Sequence, residues 1–216
     1  MVYLLSVGIE CLSTLIFIIP AILILNHTLF KQNNLNKVIM VFVFAFYCMA
    51  VFSITGISSY NTIRIDFSFN LIPLADIINN PAGYIINTIL NIILFMPMGF
   101  LVPSIWTEYH SLKKTIFMGF AVSVIIEILQ IFTFRLTDID DLITNTFGTF
   151  LGYYIGKLFS FKLPLKISGN FENTFIKYEP VIILIIVLLV KFFLKPLLSD
   201  TIWDIVLSGQ LWESIK

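Results

Sequence analysis

Charge is what this chain has least of. Of its 216 residues only 12% are charged, where soluble domains average roughly 25%. Two cysteines, Cys11 and Cys48, sit in apolar runs with no C-x-x-C or Cys/His spacing, which excludes a zinc ribbon and a disulfide framework as the basis of the fold. No lysine or arginine precedes Lys31, and the first apolar run carries Glu10 and is too long for a signal-peptide core, so it does not read as a cleaved leader. No internal repeat, linker or low-complexity tract breaks the chain. With 13 basic against 13 acidic residues the net charge is +0, so no overall field draws in nucleic acid.

Apolar residues are abundant. They make up 58% of the chain, and the mean hydropathy is +0.97. So small a domain leaves much of its surface exposed and has no interior large enough to hide them. Disorder, which requires low hydrophobicity, is excluded by the same figures. The solvent for most of this chain is lipid.

A bilayer core takes about 20 apolar residues per helix. Six stretches approach that length: Leu4–Leu25, Val38–Ile57, Tyr84–Trp106, Thr115–Phe134, Leu142–Phe159 and Val181–Leu198. The reading is an all-α, polytopic transmembrane helical bundle of about six spans, or five if the last stretch, with Lys191 and Lys195 snorkelling, lies on the surface. Between the second and third spans, Ser58–Gly83 is too apolar for a free loop. It holds Arg64, Asp66, the run from Asn70 to Asp76 and the turn signal Asn79-Asn80-Pro81, and is read as a re-entrant or interfacial segment.

Lys31, Lys37, Lys113, Lys114, Lys157, Lys162, Lys166 and Lys177 lie in the first, third and fifth connections. The second and fourth contribute only Arg64 and Arg135. This bias places the eight lysines in the cytoplasm and the N-terminus outside. Asn87, Asn91, Glu127, Gln130, Asp141 and Asn145 then all fall in the outer half of the membrane.

Polar side chains at such depth cost free energy and need a reason. Gly119, Ser123, Glu127 and Gln130 follow a 4-4-3 step and share a helix face, as do Asn87 and Asn91. Asp141, Asn145, Gly148, Gly152 and Gly156 form another stripe, whose three glycines suit close helix packing. Arg135-Leu-Thr-Asp138-Ile-Asp140-Asp141 is the densest charge cluster. Thr137 followed by Asp140 resembles a capping box opening the fifth span, but capping does not require three aspartates and an arginine. Pairing of Arg135 with Asp138 or Asp141, and of Arg64 with Asp66 or Glu127, would lower the desolvation cost. The expectation is an outward-open polar cavity lined by Arg64, Asn87, Asn91, Glu127, Gln130, Arg135, Asp138, Asp140, Asp141 and Asn145, suited to a hydroxyl-rich, amide-bearing or phosphate head group. The acids match no known cation loop, so neither a metal nor another cofactor is expected.

Three motifs then stand in a telling order: Asn91-Ile-Ile-Leu-Phe95-Met-Pro97-Met-Gly99, Glu127-Ile-Leu-Gln130, and Arg135 through Asp138-Ile-Asp140-Asp141 to Asn145, Gly148 and Gly152. Together with Asn70-Leu-Ile-Pro73 they closely resemble the VanZ-like family over about Arg64 to Lys157. The chain accordingly divides into a two-span region (1–63), a VanZ-like core (64–160) and a C-terminal span and tail (161–216). The resemblance implies a multi-pass protein of the bacterial cytoplasmic membrane. The family takes its name from a membrane protein that lowers susceptibility to the glycopeptide teicoplanin.

Two functions are open. The preferred one is non-catalytic: among membrane lipids, the protein binds a lipid-linked cell-wall precursor or a lipidated glycopeptide at the outer leaflet. The alternative is an enzyme modifying a lipid or envelope head group, with Glu127 or Asp141 as general base. A transporter is disfavoured because no inverted repeat is visible.

Overall fold

The computed structural model describes residues 2–30, 34–57, 59–63, 65, 68–133, 137–159 and 176–208. Each of the six apolar stretches contains a helix. In chain order the helices are α1 (Val2–Leu25), α2 (Leu35–Ile54), the single turn α3 (Asp76–Asn79), α4 (Pro81–Ile105), α5 (Leu112–Gln130), α6 (Ile139–Phe159), α7 (Glu179–Leu189) and α8 (Lys195–Ser208). Helices satisfy their own backbone, which is what a hydrocarbon solvent demands. Four segments are long and apolar enough to cross a membrane: Ser13–Phe30, Leu35–Ile54, Pro81–Ile105 and Glu179–Ser199. Helices α5 and α6 are less apolar, because they carry the polar stripes.

The starts are set by local chemistry. Asn34 caps α2 by accepting from the amides of Asn36 and Lys37. Asn80 accepts from the Gly83 amide, with Pro81 at the first helical position, where its missing N–H costs nothing. The cap of α6 differs from the expected box. The Asp138 carboxylate, not the Thr137 hydroxyl, accepts from the Asp140 amide at 2.8 Å, and Thr137 instead donates to the Glu127 carbonyl oxygen at 3.2 Å. The shorter, charged acceptor takes the orphan donor.

Helices α4 and α6 form the most extensive helix contact in the bundle. Gly148 lies on the backbone of Ile92, Gly152 on that of Met96 and Gly156 beside Phe100. Each pair is separated by 56 positions, so the two helices run parallel and in step. A Cβ at Gly148 or Gly152 would overlap the facing carbonyl oxygen, and one at Gly99 would meet the Thr149 carbonyl. Glycine here permits backbone-to-backbone approach, the basis of tight association in membranes. Helix α5 returns antiparallel: Gly119 faces the Thr149 side chain, and Ser123 accepts from Asn145 at 2.9 Å.

Around this trio, Phe44, Met49, Phe95, Met98, Val102, Ile105, Trp106, Ile126, Ile183 and Val187 build the core. The Phe44 and Trp106 rings meet edge to face at 5.0 Å. Outward-facing positions such as Ile93, Phe117, Ile128 and Leu158 stay exposed, as a lipid-facing shell requires. Between α7 and α8 one π-helical segment, Val190–Leu194, turns Lys191 inward. Lys191 does not snorkel. It is buried and donates to Ser53 at 2.8 Å, because the widened turn points the stem at α2 instead of at the interface.

Candidate functional site

Parallel running brings the N-termini of α4 and α6 to the same end of the bundle. There the positive ends of two helix dipoles converge and acids are favoured. Asn80, Gly83, Tyr84, Asn87 and Thr88 of the first helix and its cap face Asp138, Asp140, Asp141 and Thr144 of the second across a pocket of about 270 Å³.

Each acid in the wall has a defined partner. Asp141 accepts from the Asn91 side-chain amide at 2.6 Å, tying α6 to α4. Asp140 accepts from the backbone amide of Leu74 at 2.9 Å. Asp138 accepts from the Asn70 side-chain amide at 3.2 Å while capping α6. Glu127, buried one layer below, accepts from the Asp138 amide at 3.0 Å. Gln130 donates to the Thr55 carbonyl oxygen at 3.2 Å, linking α5 to the end of α2, and the Asn145 side-chain amide donates to Ser123.

Within the segment expected to be re-entrant, residues 68–76 form a strap fastened to Asp138 and Asp140 of the pocket wall. Phe69–Asn70 pairs in parallel with Thr137–Asp138, a two-residue ladder that is the only strand pairing among the described residues. The Thr137 amide adds a bond to the Ser68 carbonyl at 3.2 Å. At Leu74 the backbone takes φ 65°, the left-handed region that a branched residue avoids. That conformation aims the Leu74 amide at Asp140. The strap's apolar side chains are not tucked in: Leu71, Ile72, Leu74 and Ile78 are exposed, Ile78 by 85%.

The sequence-derived set therefore separates into layers. Asn87, Asp138, Asp140 and Asp141 line the pocket; Asn91 stands behind Asp141; Glu127, Gln130 and Asn145 are buried among the helices. Arg64 and Arg135, with the ion pairs expected of them, lie outside the described residues. Asn80, Gly83, Tyr84, Thr88 and Thr144 also line the pocket, a set the sequence reading did not single out. The Asn80-Pro81 turn signal marks where α4 begins, and Tyr84, Asn87 and Thr88 then follow at helical spacing. Among the described residues no three His, Cys, Asp or Glu side chains cluster as a metal would need.

The VanZ/LLP1 family model matches residues 38–160, more than half of the chain. This chain belongs to the VanZ/LLP1 family. The match takes in α2 as well as the strap and the α4–α6 trio, so the VanZ-like region includes the helix that receives Gln130. No curated protein and no solved structure matches the chain.

Proposed function

We propose that this VanZ-like membrane protein binds the polar head of a membrane-anchored amphiphile at the pocket between α4 and α6. The amphiphile is a lipid-linked cell-envelope component or a lipidated glycopeptide, and binding changes susceptibility to teicoplanin-type antibiotics. One juxtaposition carries the reading: a pocket of amides, hydroxyls and carboxylates shares its wall acids Asp138 and Asp140 with a strap whose Leu71, Ile72 and Ile78 are exposed. A ligand with a hydroxyl- and amide-rich head and an acyl tail satisfies both surfaces at once. The distribution of lysines supports an opening toward the outside of the bacterial cytoplasmic membrane.

Binding is favoured over catalysis because the acids are engaged in positioning. Asp138 caps a helix, Asp140 holds the strap, Asp141 takes Asn91, and Glu127 holds the Asp138 amide. A general base needs a free approach to the substrate proton.

The test fills the pocket without touching that network. Asn87→Leu with Thr88→Leu, at unchanged membrane abundance, is expected to shift teicoplanin susceptibility to that of a deletion strain. Glu127→Gln is expected to weaken protection as well. Unchanged susceptibility in the pocket-filled variant, or no difference between deletion and parent strains, would refute the proposal. Lipid and envelope-precursor profiles that differ between those strains would assign a reaction instead.

A further inference from the structure

At the opposite end of the bundle, 25 residues along α4 from the acidic pocket or ~37 Å at helical rise, lies a second pocket of different chemistry. It has a volume of about 540 Å³ and is lined by Glu108, Tyr109, Lys113, Lys114, Phe117, Lys177 and Tyr178. Three ammonium groups face one carboxylate, a net surplus of two positive charges.

Lys113 and Lys114 occupy the first turn of α5, where a helix dipole presents its positive end and disfavours cations. The local electrostatics are thus unfavourable until an anion arrives. The walls suit one that is not freely soluble. Lys177 lies 4.6 Å from the centroid of the Tyr178 ring, and the Tyr109 hydroxyl sits 3.5 Å from the Lys177 carbonyl oxygen. Burial, with Glu108 and Tyr178 beside it, raises the Tyr109 phenol above its ordinary value, so it stays a neutral donor. Phe117 follows Lys113 and Lys114 by four and three residues, hence on their face, and is 70% exposed. Phe120 continues that exposed apolar stripe along α5, and Ile128 lies near the helix's other end.

We propose that this pocket binds the phosphate head of an anionic phospholipid from the leaflet at this end. The phosphate lies on Lys113, Lys114 and Lys177, the tyrosine hydroxyls flank it, and an acyl chain descends along Phe117 and Phe120. Clustered lysines drawing in membrane electrostatically would explain the charge but not the tyrosines beside it or the apolar stripe leading away from it. The proposal stands apart from the function assigned to the acidic end.

The experiment is native mass spectrometry of the purified full-length protein, offered phosphatidylglycerol or phosphatidylcholine in detergent. Phosphatidylglycerol is expected to be retained in preference, with affinity falling roughly fivefold for each lysine neutralised, as juxtamembrane lysines do on anionic surfaces. Lys113→Gln with Lys114→Gln abolishes the preference, Lys113→Arg with Lys114→Arg keeps it, and Phe117→Ser weakens retention of either lipid. All of these side chains are exposed, so melting temperatures stay near the parent's. Equal retention of both lipids, or a preference that survives the glutamine substitutions, overturns the proposal. Displacement by inorganic phosphate as effective as by the lipid would show a site for soluble phosphate instead, and likewise overturns it.

Discussion

Replacing Gly152 by alanine isolates the contact that holds the pocket's two walls together. In a helix interior alanine is better than glycine by about 0.8–1 kcal/mol, so the substitution begins with a gain. At Gly152 the new Cβ would overlap the Met96 carbonyl oxygen and crowd its Cα. Neither atom belongs to a side chain that can rotate away, so α4 and α6 must separate. Overpacking of a rigid contact costs about 1–3 kcal/mol, and backbone on one side puts this case at the upper end. The net expectation is a loss of about 1–2 kcal/mol. Gly156, one turn on, is the control: its Cβ would sit 3.4 Å from the Phe100 Cα, a contact the neighbours absorb with little movement, so Gly156→Ala is expected to be neutral or stabilising by up to about 1 kcal/mol. Thermal unfolding of the two variants in the same detergent, followed by tryptophan fluorescence, measures the difference. Because Asn91 and Asp141 lie on the same two helices as the contact, Gly152→Ala should also weaken any ligand bound at the pocket. Equal melting temperatures would refute the close parallel packing that sets the pocket's two walls.

Two further outcomes follow from single features. The Lys37–Glu179 ion pair is 2.9 Å long, with side chains only 3% and 2% exposed, and Glu179 also accepts from the Trp106 indole at 2.8 Å. Removing one partner, as in Lys37→Met, is expected to cost about 3–5 kcal/mol, and adding Glu179→Leu to recover most of it; a double-mutant cycle on chemical unfolding checks this. Leu74→Gly relieves the left-handed backbone at φ 65° and should stabilise the strap by about 1 kcal/mol. Protection of the Leu74 amide from hydrogen exchange would then rise, whereas a fall would show that the leucine side chain, not Asp140, holds the turn.

Helix positions were legible because lipid imposes one rule on every span. Six apolar runs correspond to six helical regions; the last continues ten residues past Leu198, to Ser208, and α4 starts three residues early because Asn80-Pro81 is a start signal lying outside the apolar run. What could not be read was pairing at a distance. Phe69–Asn70 finds Thr137–Asp138 through two residues of ladder, too short for any periodicity. The partnership of Lys37 with Glu179 joins charges 142 positions apart, and Lys191 reads as an interfacial lysine until the π turn that redirects it is seen. Around the site, side-chain spacing placed Asn87 with Asn91 on one face and Asp141 with Asn145 on another. That α4 and α6 run in step, so that Asp141 meets Asn91 and Asp138 faces α4, depends on which glycine meets which carbonyl. The stripe of glycines alone does not encode that.

Register also decides what can move. Since α4 and α6 touch backbone to backbone at Ile92–Gly148 and Met96–Gly152, they cannot slide or part by small steps without climbing over each other's peptide groups. The strap, by contrast, is fastened at the Thr137 and Leu74 amides and the Asn70 side chain, fastenings that break and reform at little cost. Any widening of this end of the bundle therefore begins at the 69–76 segment, while the α4–α6 seam holds its spacing.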